Sequence, residues 1–206
     1  MLRFENLGKR YADRVIFDGL NFRTGPGCIA LSDDSGSGKT TLLGILAGMI
    51  PADRGDVWIN EHSLLSAPAK AKSSIAYIPD DCFPDSMQTG RAYLDQVALA
   101  RDTSVGCGAL DLAERFGLTP HLEKRFEQMS FGTRKKTCLT AATIGDSKVV
   151  IADEPVAGLD ANARGVLVGL FGMLAESRVV FFSSYDAAFT QACNARTISF
   201  ADLGAY

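Results

Sequence analysis

The stretch 29–43 holds the residues best suited to chemistry. An apolar run leads into a loop rich in glycine and serine, and Lys39-Thr40-Thr41 then opens a segment with apolar residues at helical spacing. This order of strand, loop and helix is the one that a nucleoside triphosphate site requires. Glycine lets backbone N–H groups converge on an anion, and a helix start adds its positive dipole end. The predicted phosphate-binding residues are Asp34, Ser35, Gly36, Ser37, Gly38, Lys39, Thr40 and Thr41.

Two side chains of this loop have separate predicted roles, and one position departs from the usual pattern. Lys39 is expected to reach the terminal phosphates, and the Thr40 hydroxyl is expected to ligate Mg²⁺. The pattern G-x-x-x-x-G-K-[ST] places glycine at position 33, where this chain has Asp33. A carboxylate there should weaken the binding of a polyanion unless it points away. The plain alternative is a glycine-rich turn ahead of an ordinary helix, which the Lys-Thr pair after a strand disfavours.

A second acidic site follows the apolar run Lys148–Ala152. A buried strand there places Asp153 and Glu154 at the carboxyl edge of the sheet, where ligands of open α/β sheets bind. Asp153 is expected to hold Mg²⁺ directly or through water, and Glu154 to polarise an attacking water. Two acidic residues after a strand can also form a plain turn. The preceding phosphate loop favours the catalytic interpretation.

Together these segments resemble an ATP-binding cassette (ABC) ATPase. The resemblance rests on 39–43, on 153–160 and on the helical segment between them, and it extends over essentially the whole chain. It implies an α/β, P-loop NTPase core with a mixed, mostly parallel sheet and N-terminal antiparallel strands. A helical subdomain at approximately 81–135 is then inserted in a single domain, 1–206. In that family two cassettes sandwich two ATP molecules, each bound by one chain's phosphate loop and the other chain's signature segment.

The resemblance also implies roles in nucleotide binding outside the phosphate loop. Tyr11 matches the aromatic residue that stacks on adenine, with Val15 nearby; an ordinary turn tyrosine is the alternative. The segment 129–134 stands where the family carries its signature. Ser130 and Gly132 are retained there, and could address the γ-phosphate of the partner's ATP, whereas Phe131 replaces the first glycine of the pair.

Two further positions differ from the family in ways that bear on catalysis. Asp80 stands where the family usually has a glutamine that senses Mg²⁺ and contacts the membrane partner, and a carboxylate can still bind the ion or its water. Tyr185 stands where the family has a switch histidine. A tyrosine can position the phosphate or the water through its O–H but, unlike a histidine, cannot carry the proton near neutral pH.

Hydrophobic periodicity predicts the elements that position these residues. Trp58 is assigned to the core, and the basic run Arg134-Lys135-Lys136 to a solvated helix face. The predicted helices are Thr40–Met49, two segments around 93–100 and 110–116, Arg134–Ile144, Ala161–Glu176 and Ala187–Ala192. The predicted strands are Leu2–Asn6, Val15–Thr24, Cys28–Leu31, Val57–Asn60, Ser74–Ile78, Lys148–Ala152, Arg178–Ser183 and Thr197–Phe200.

Composition limits the partners and the compartment. The net charge of −3 gives no reason to expect nucleic acid. Five scattered cysteines without a C-x-x-C pattern indicate reduced thiols in a cytoplasmic protein, and no apolar run is long enough to span a bilayer. We therefore expect a cytoplasmic protein, peripheral on the membrane through its partner. A groove that receives a helix of that membrane subunit is expected at Asp80, Cys82, Phe83, Pro84 and Met87–Leu94.

These observations lead to one functional prediction and two alternatives. The prediction is an ATPase subunit that uses ATP and Mg²⁺, works as a homodimer or heterodimer with a second cassette, and powers transport through a separate integral membrane subunit. The first alternative is a degenerate cassette that binds nucleotide and regulates a partner with little hydrolysis. A soluble ABC ATPase acting on DNA or ribosomes is the other, and the absence of a basic surface disfavours it. The four departures that motivate the regulatory alternative are Asp33, Asp80, Phe131 and Tyr185.

Overall fold

The computed structural model describes residues 1–82 and 84–204. Its strands are β1 (Leu2–Tyr11), β2 (Arg14–Thr24), β3 (Gly27–Leu31), β4 (Arg54–Ile59), β5 (His62–Ser63), β6 (Ile75–Ile78), β7 (Val149–Ala152), β8 (Val179–Ser183) and β9 (Arg196–Ile198). The α-helices are α1 (Lys39–Leu46), α2 (Pro68–Ser73), α3 (Gly90–Ala100), α4 (Cys107–Arg115), α5 (Phe131–Ala141), α6 (Ala161–Ala175) and α7 (Ala187–Ala192). Short 3₁₀ turns lie at Thr119–His121, Phe126–Gln128 and Phe200–Leu203.

The strands form two sheets. One is antiparallel with strand order β2-β1-β4-β5, and the other is parallel with order β6-β7-β8-β3-β9. The predicted α/β class with N-terminal antiparallel strands is thereby confirmed, although these strands form a sheet of their own. The parallel strands are covered on both faces, which explains why β7 and β8 are buried along their entire length.

Strand β8 shows how one element serves two cores. Val179 and Phe181 contribute to a core that includes α1 and the antiparallel sheet, whereas Val180 and Phe182 contribute to a core that includes α5 and α6. Successive side chains of a strand point to opposite faces, so an uninterrupted apolar run is required when both faces are covered. The two cores fix the central sheet from both sides.

Several predicted boundaries are wrong by a few residues, for local reasons. Helix α1 ends at Leu46 rather than at position 49, because Gly48 adopts a left-handed φ of 68°. Helix α5 begins at Phe131, three residues earlier than predicted, because the Ser130 hydroxyl caps it by accepting the Thr133 N–H at 3.2 Å. The last predicted strand ends at Ile198.

Two short elements were not predicted, and two side chains were wrongly assigned. The two-residue β5 and the six-residue α2 give too little periodicity to be predicted. Trp58 is half-buried instead of belonging to the core, with the Arg3 guanidinium 4.0 Å from its ring centroid. Lys135 is fully buried, so the basic run is not a solvated face.

The predicted partner groove needs a similar correction. Cys82 and Leu94 are both buried in the core that includes α5 and α6, so they cannot line an open surface. Met87 is 54% exposed and Asp80 lies at the surface, so they stay available to a partner. Phe83 lies outside the described residues.

The carboxylate of Asp33 faces the 3₁₀ turn Phe200–Leu203. Its Oδ2 accepts the backbone N–H of Phe200 at 2.9 Å. Asp33 does not have a left-handed backbone, so the position makes no demand for glycine. The side chain therefore anchors the 3₁₀ turn Phe200–Leu203 to the loop that follows β3.

This contact predicts that Asp33→Gly lowers the free energy of unfolding by about 1 kcal/mol, through loss of a charge-assisted hydrogen bond and through a more flexible unfolded chain. Urea denaturation followed by circular dichroism measures it. Asp33→Asn retains the acceptor oxygen and is the matched control, with a smaller expected loss. A glycine variant as stable as the parent would contradict this role.

Candidate functional site

A cleft of about 430 Å³ opens where β3 and β7 end. Both strands belong to the parallel sheet, so their carboxyl ends meet at one edge and bring the loop before α1 next to Asp153 and Glu154. The predicted site residues are therefore largely assembled in one place. The residues lining the cleft are Arg14, Ile16, Ser35, Gly36, Gly38, Lys39, Thr40, Thr41, Asp80, Asp153, Glu154 and Tyr185.

The start of α1 is shaped to receive an anion. Gly38 is the residue before the helix and has φ 105°, and a Cβ there would lie 2.5 Å from Cγ2 of Ile16. Only glycine fits both conditions. The first N–H groups of a helix have no partner within it, so those of α1 are directed at the cleft together with the positive end of the helix dipole.

The Lys39 ammonium is buried at the centre of this loop, with 5% of the side chain exposed. It donates to the carbonyl oxygens of Asp33 at 2.5 Å and Asp34 at 3.0 Å, and to the Tyr185 hydroxyl at 2.9 Å. All of the hydrogen-bond partners of Lys39 found among the described residues are neutral oxygens. The positive charge is thus held in position without being neutralised by an ion pair.

Asp153 and Glu154 line the same cleft as the Lys39 ammonium, and each has one carboxylate oxygen without a hydrogen-bond partner in the described chain. Asp153 is 1% exposed, and its Oδ2 has no hydrogen-bond partner within the described chain. The same holds for Oε1 of Glu154, while Oε2 accepts the Tyr185 N–H at 3.4 Å. A buried anionic oxygen without a donor is costly, so both atoms are suited to a cation or an ordered water.

This donor set fits Mg²⁺. The ion prefers carboxylate, hydroxyl and water oxygens and is usually completed by phosphate oxygens, and Thr40 and Asp80 line the same cleft as Asp153. Within the described ranges no group of three or more His, Cys, Asp or Glu residues could hold a metal by itself. A cation here would therefore share its coordination with a bound phosphate.

The surroundings of Glu154 favour the uptake of a proton. Burial raises its pKa, and the nearby Asp153 charge acts in the same direction, whereas the hydrogen bond from the Tyr185 N–H opposes the rise. Its backbone has a φ of 41°, which is unusual for a residue other than glycine. Strained residues of this kind cluster at functional sites.

Three site residues were missed from the sequence: Ser183, Arg14 and Ile16, which lines the cleft. The Ser183 hydroxyl donates to Oδ1 of Asp153 at 2.6 Å and accepts the Glu154 N–H at 3.0 Å. The Arg14 guanidinium reaches the Gly36 carbonyl at 3.5 Å. Ser183 gives one weak signal, a hydroxyl at the end of an otherwise apolar strand; Arg14 gives none, because its role depends on folding of the β1–β2 hairpin.

Some predicted residues lie outside the cleft lining. Tyr11 and Val15 are about half exposed on the β1–β2 hairpin. Asp34 and Ser37 belong to the loop without lining the cleft, and the Ser37 N–H donates to the Asp34 carbonyl at 3.3 Å.

The predicted signature segment also lies elsewhere, against the turn after β7. A Cβ on Gly132 would lie 2.5 Å from the Gly158 carbonyl oxygen, and a Cβ on Gly158 would lie 2.4 Å from the Phe131 ring. The close approach requires glycine at both positions. This packing places Ser130 and Gly132 beside the turn after β7, although they do not reach this chain's own cleft.

The hydrogen bonds of Ser183 predict a loss of stability for Ser183→Ala. The change leaves Asp153 Oδ1 and the Glu154 N–H unpaired in a buried site, at an expected cost of about 1–3 kcal/mol in the free energy of unfolding. Chemical denaturation provides the measurement. Ser183→Thr keeps the hydroxyl and should retain most of the stability. An alanine variant with unchanged stability would show that these bonds do not organise the site.

The sequence of this chain is similar to a protein-family model and to the sequences of known proteins. A family model described as ABC transporter matches residues 17–157. Nod factor export ATP-binding protein I of Burkholderia pseudomallei (strain 1710b) is 28% identical over 191 residues, covering 88% of this chain and 62% of that protein. The linearmycin resistance ATP-binding protein LnrL of Bacillus subtilis (strain 168) is 26% identical over 196 residues, covering 90% and 61%. The chain thus spans about three fifths of the length of these relatives.

Solved structures support the fold. One titled as the ATP binding subunit of an ABC transporter superposes with a TM-score of 0.88 at 23% identity, covering 97% of this chain and 85% of its own. The dimeric cassette MJ0796, bound to ADP and Pi, superposes with a TM-score of 0.86 at 17% identity, covering 97% and 94%. In the part of the chain described here, no helix is long and apolar enough to cross a membrane. With more than half of its length matched by the family model, the chain belongs to the ABC transporter family.

Proposed function

We propose that this chain binds ATP with Mg²⁺ in the cleft, hydrolyses the nucleotide, and powers transport through a separate membrane subunit. The observation that carries the proposal is the pair of buried carboxylate oxygens without partners, Oδ2 of Asp153 and Oε1 of Glu154, in the same cleft as the Lys39 ammonium. A triphosphate with its cation satisfies all three groups at once.

Binding follows from the groups that face the cleft. Lys39 exchanges neutral oxygens for the β- and γ-phosphates, and the N–H groups at the start of α1 bind the remaining phosphate oxygens. Thr40 and Asp153 would hold Mg²⁺, which when bound would neutralise charge on the phosphates. Asp80 lines the same cleft and can bind the ion through a water.

Hydrolysis requires a water held in line with the γ-phosphate. Glu154 accepts a hydrogen bond from this water through its free Oε1, and its raised pKa makes it a better proton acceptor than an exposed glutamate. The water oxygen forms a bond to the γ-phosphorus and gives its proton to Glu154, while the bond from that phosphorus to the bridging oxygen breaks and ADP leaves with that oxygen. Tyr185 donates its O–H to a phosphate oxygen, so it positions the group without carrying a proton.

The remaining predicted residues act in the complete assembly. We propose that Ser130 and Gly132 bind the nucleotide of a second cassette, in a homodimer or heterodimer, and that Tyr11 stacks on adenine beside Val15. The dimeric state of the similar cassette MJ0796 supports this arrangement. Residues 1–206 would act as a single cassette with its helical subdomain near 81–135. The cassette would sit peripherally on the cytoplasmic face, held by the integral membrane subunit.

The proposed mechanism predicts that Glu154→Gln lowers the rate of MgATP hydrolysis by about 100-fold or more, because the amide cannot accept a proton from water. ATP binding persists, so the variant accumulates as an ATP-bound dimer. Phosphate release and size-exclusion chromatography measure the two effects. Lys148→Met, at the other end of β7, is the matched control and should hydrolyse ATP at the parent rate.

One outcome of the same experiment would favour the regulatory alternative. In this structure Tyr185 both accepts a hydrogen bond from Lys39 and lies with its ring 4.1 Å from the ammonium, a contact that competes with phosphate. If the parent chain binds ATP but shows no detectable turnover, either alone or with a second cassette, the chain has a regulatory role. Turnover that Glu154→Gln leaves unchanged would contradict the hydrolytic mechanism.

A further inference from the structure

Lys135 is a fully buried lysine outside the cleft lining. Its ammonium donates to the carbonyl oxygens of Asp80 at 2.5 Å, Pro79 at 3.2 Å and Asp153 at 3.4 Å. An isolated buried charge is strongly disfavoured, so an ammonium at this position depends on these partners. Removing any one of the contacting segments would leave the charge less well solvated. The lysine therefore ties the segments together.

The ammonium also has one acidic and one aromatic neighbour. The Asp80 Oδ1 lies 3.4 Å away on a side chain that is 54% exposed and lines the cleft. The Phe131 ring centroid lies 5.5 Å away, within the range of a cation–π contact. Lys135 thus contacts three segments: the residues after β6, the end of β7 and the first residue of its own helix α5.

These three segments have different places in the proposed ATPase. Asp80 and Asp153 line the cleft that would hold this chain's own nucleotide. Phe131 lies between Ser130 and Gly132, which would address the nucleotide of the second cassette. One buried cation therefore connects the residues proposed to serve two different nucleotides.

We propose that Lys135 is a positioning residue that couples this chain's nucleotide site to the signature segment serving its partner. The proposal rests on the proposed function. A change in the position of Asp80 when the cleft is filled moves the ammonium or its partners, because the charge cannot remain buried without them. Since Lys135 lies about one helical turn from Phe131, the start of α5 follows. The filled cleft thereby sets the orientation of Ser130 and Gly132.

The test measures MgATP binding to one chain separately from the ATP-dependent dimerisation of two chains. In the Glu154→Gln background, Lys135→Met removes the charge at similar length. MgATP affinity of the monomer, from calorimetry, should stay within about threefold, whereas the ATP-dependent dimer, from sedimentation, should weaken by about tenfold or more. Lys135→Arg retains a cation and should restore much of the dimer. Lys148→Met, also a lysine held by a carboxylate, should change neither quantity.

Each result has a defined meaning. Retained ATP affinity with weakened dimerisation supports the coupling. Unchanged dimerisation overturns it, and so does a parallel loss of ATP affinity, dimer and thermal stability, which a merely structural lysine would give. Lys135→Gln, which keeps an N–H donor for the carbonyl oxygens, gives the same readout if the methionine variant fails to fold. A Glu154→Gln parent that binds no ATP would contradict the proposed function itself, and the coupling with it.

Discussion

Unbalanced charge at one edge of the parallel sheet is the constraint on which the site depends. The Lys39 ammonium is buried against neutral oxygens, while Asp153 and Glu154 each keep a buried oxygen without a partner. Each such oxygen costs about 1–3 kcal/mol compared with a satisfied one. The two hydrophobic cores on either face of the sheet supply the stability that holds these groups in position. A ligand that carries both phosphates and a cation removes the imbalance.

The strand order of the parallel sheet brings these charged groups together. Strand β8 lies between β3 and β7, so Ser183 at its end can bond to Asp153 while the phosphate loop closes from the other side. Parallel direction puts all three strand ends at one edge. The residues after β7 include Glu154, with its positive φ, and Gly158, whose close contact with Phe131 holds the signature segment against this turn.

Local patterns predict the residues that do chemistry, but long-range contacts determine how they are supported. The phosphate loop and the pair Asp153-Glu154 could be located from sequence because each combines an apolar run with a distinctive polar sequence. Ser183 could not, since its role depends on the pairing of β7 with β8. Lys135 was misassigned because a run of three basic residues resembles a solvated face, and only the packing of α5 shows that the middle one is buried.

Asp33 is a residue for which the sequence suggested an effect on the site, whereas the structure shows a contact elsewhere. Its charge next to a phosphate loop suggested weakened binding, yet its carboxylate accepts the Phe200 N–H, a contact 167 residues away in the chain. The residues that depart from the family pattern thus have individual explanations. Asp33 anchors the turn Phe200–Leu203, Asp80 has a buried lysine as its counter-ion, Phe131 packs on Gly158, and Tyr185 bonds to Lys39.

We propose that the unpaired oxygens of Asp153 and Glu154 hold a cation together with a nucleotide. Electron paramagnetic resonance of Mn²⁺, a substitute for Mg²⁺, measures this directly in the presence and absence of a non-hydrolysable ATP analogue. We expect tight Mn²⁺ binding only in the presence of the analogue, and loss of this binding in Asp153→Asn. Mn²⁺ binding that is independent of the analogue, or that survives this substitution unchanged, would contradict it.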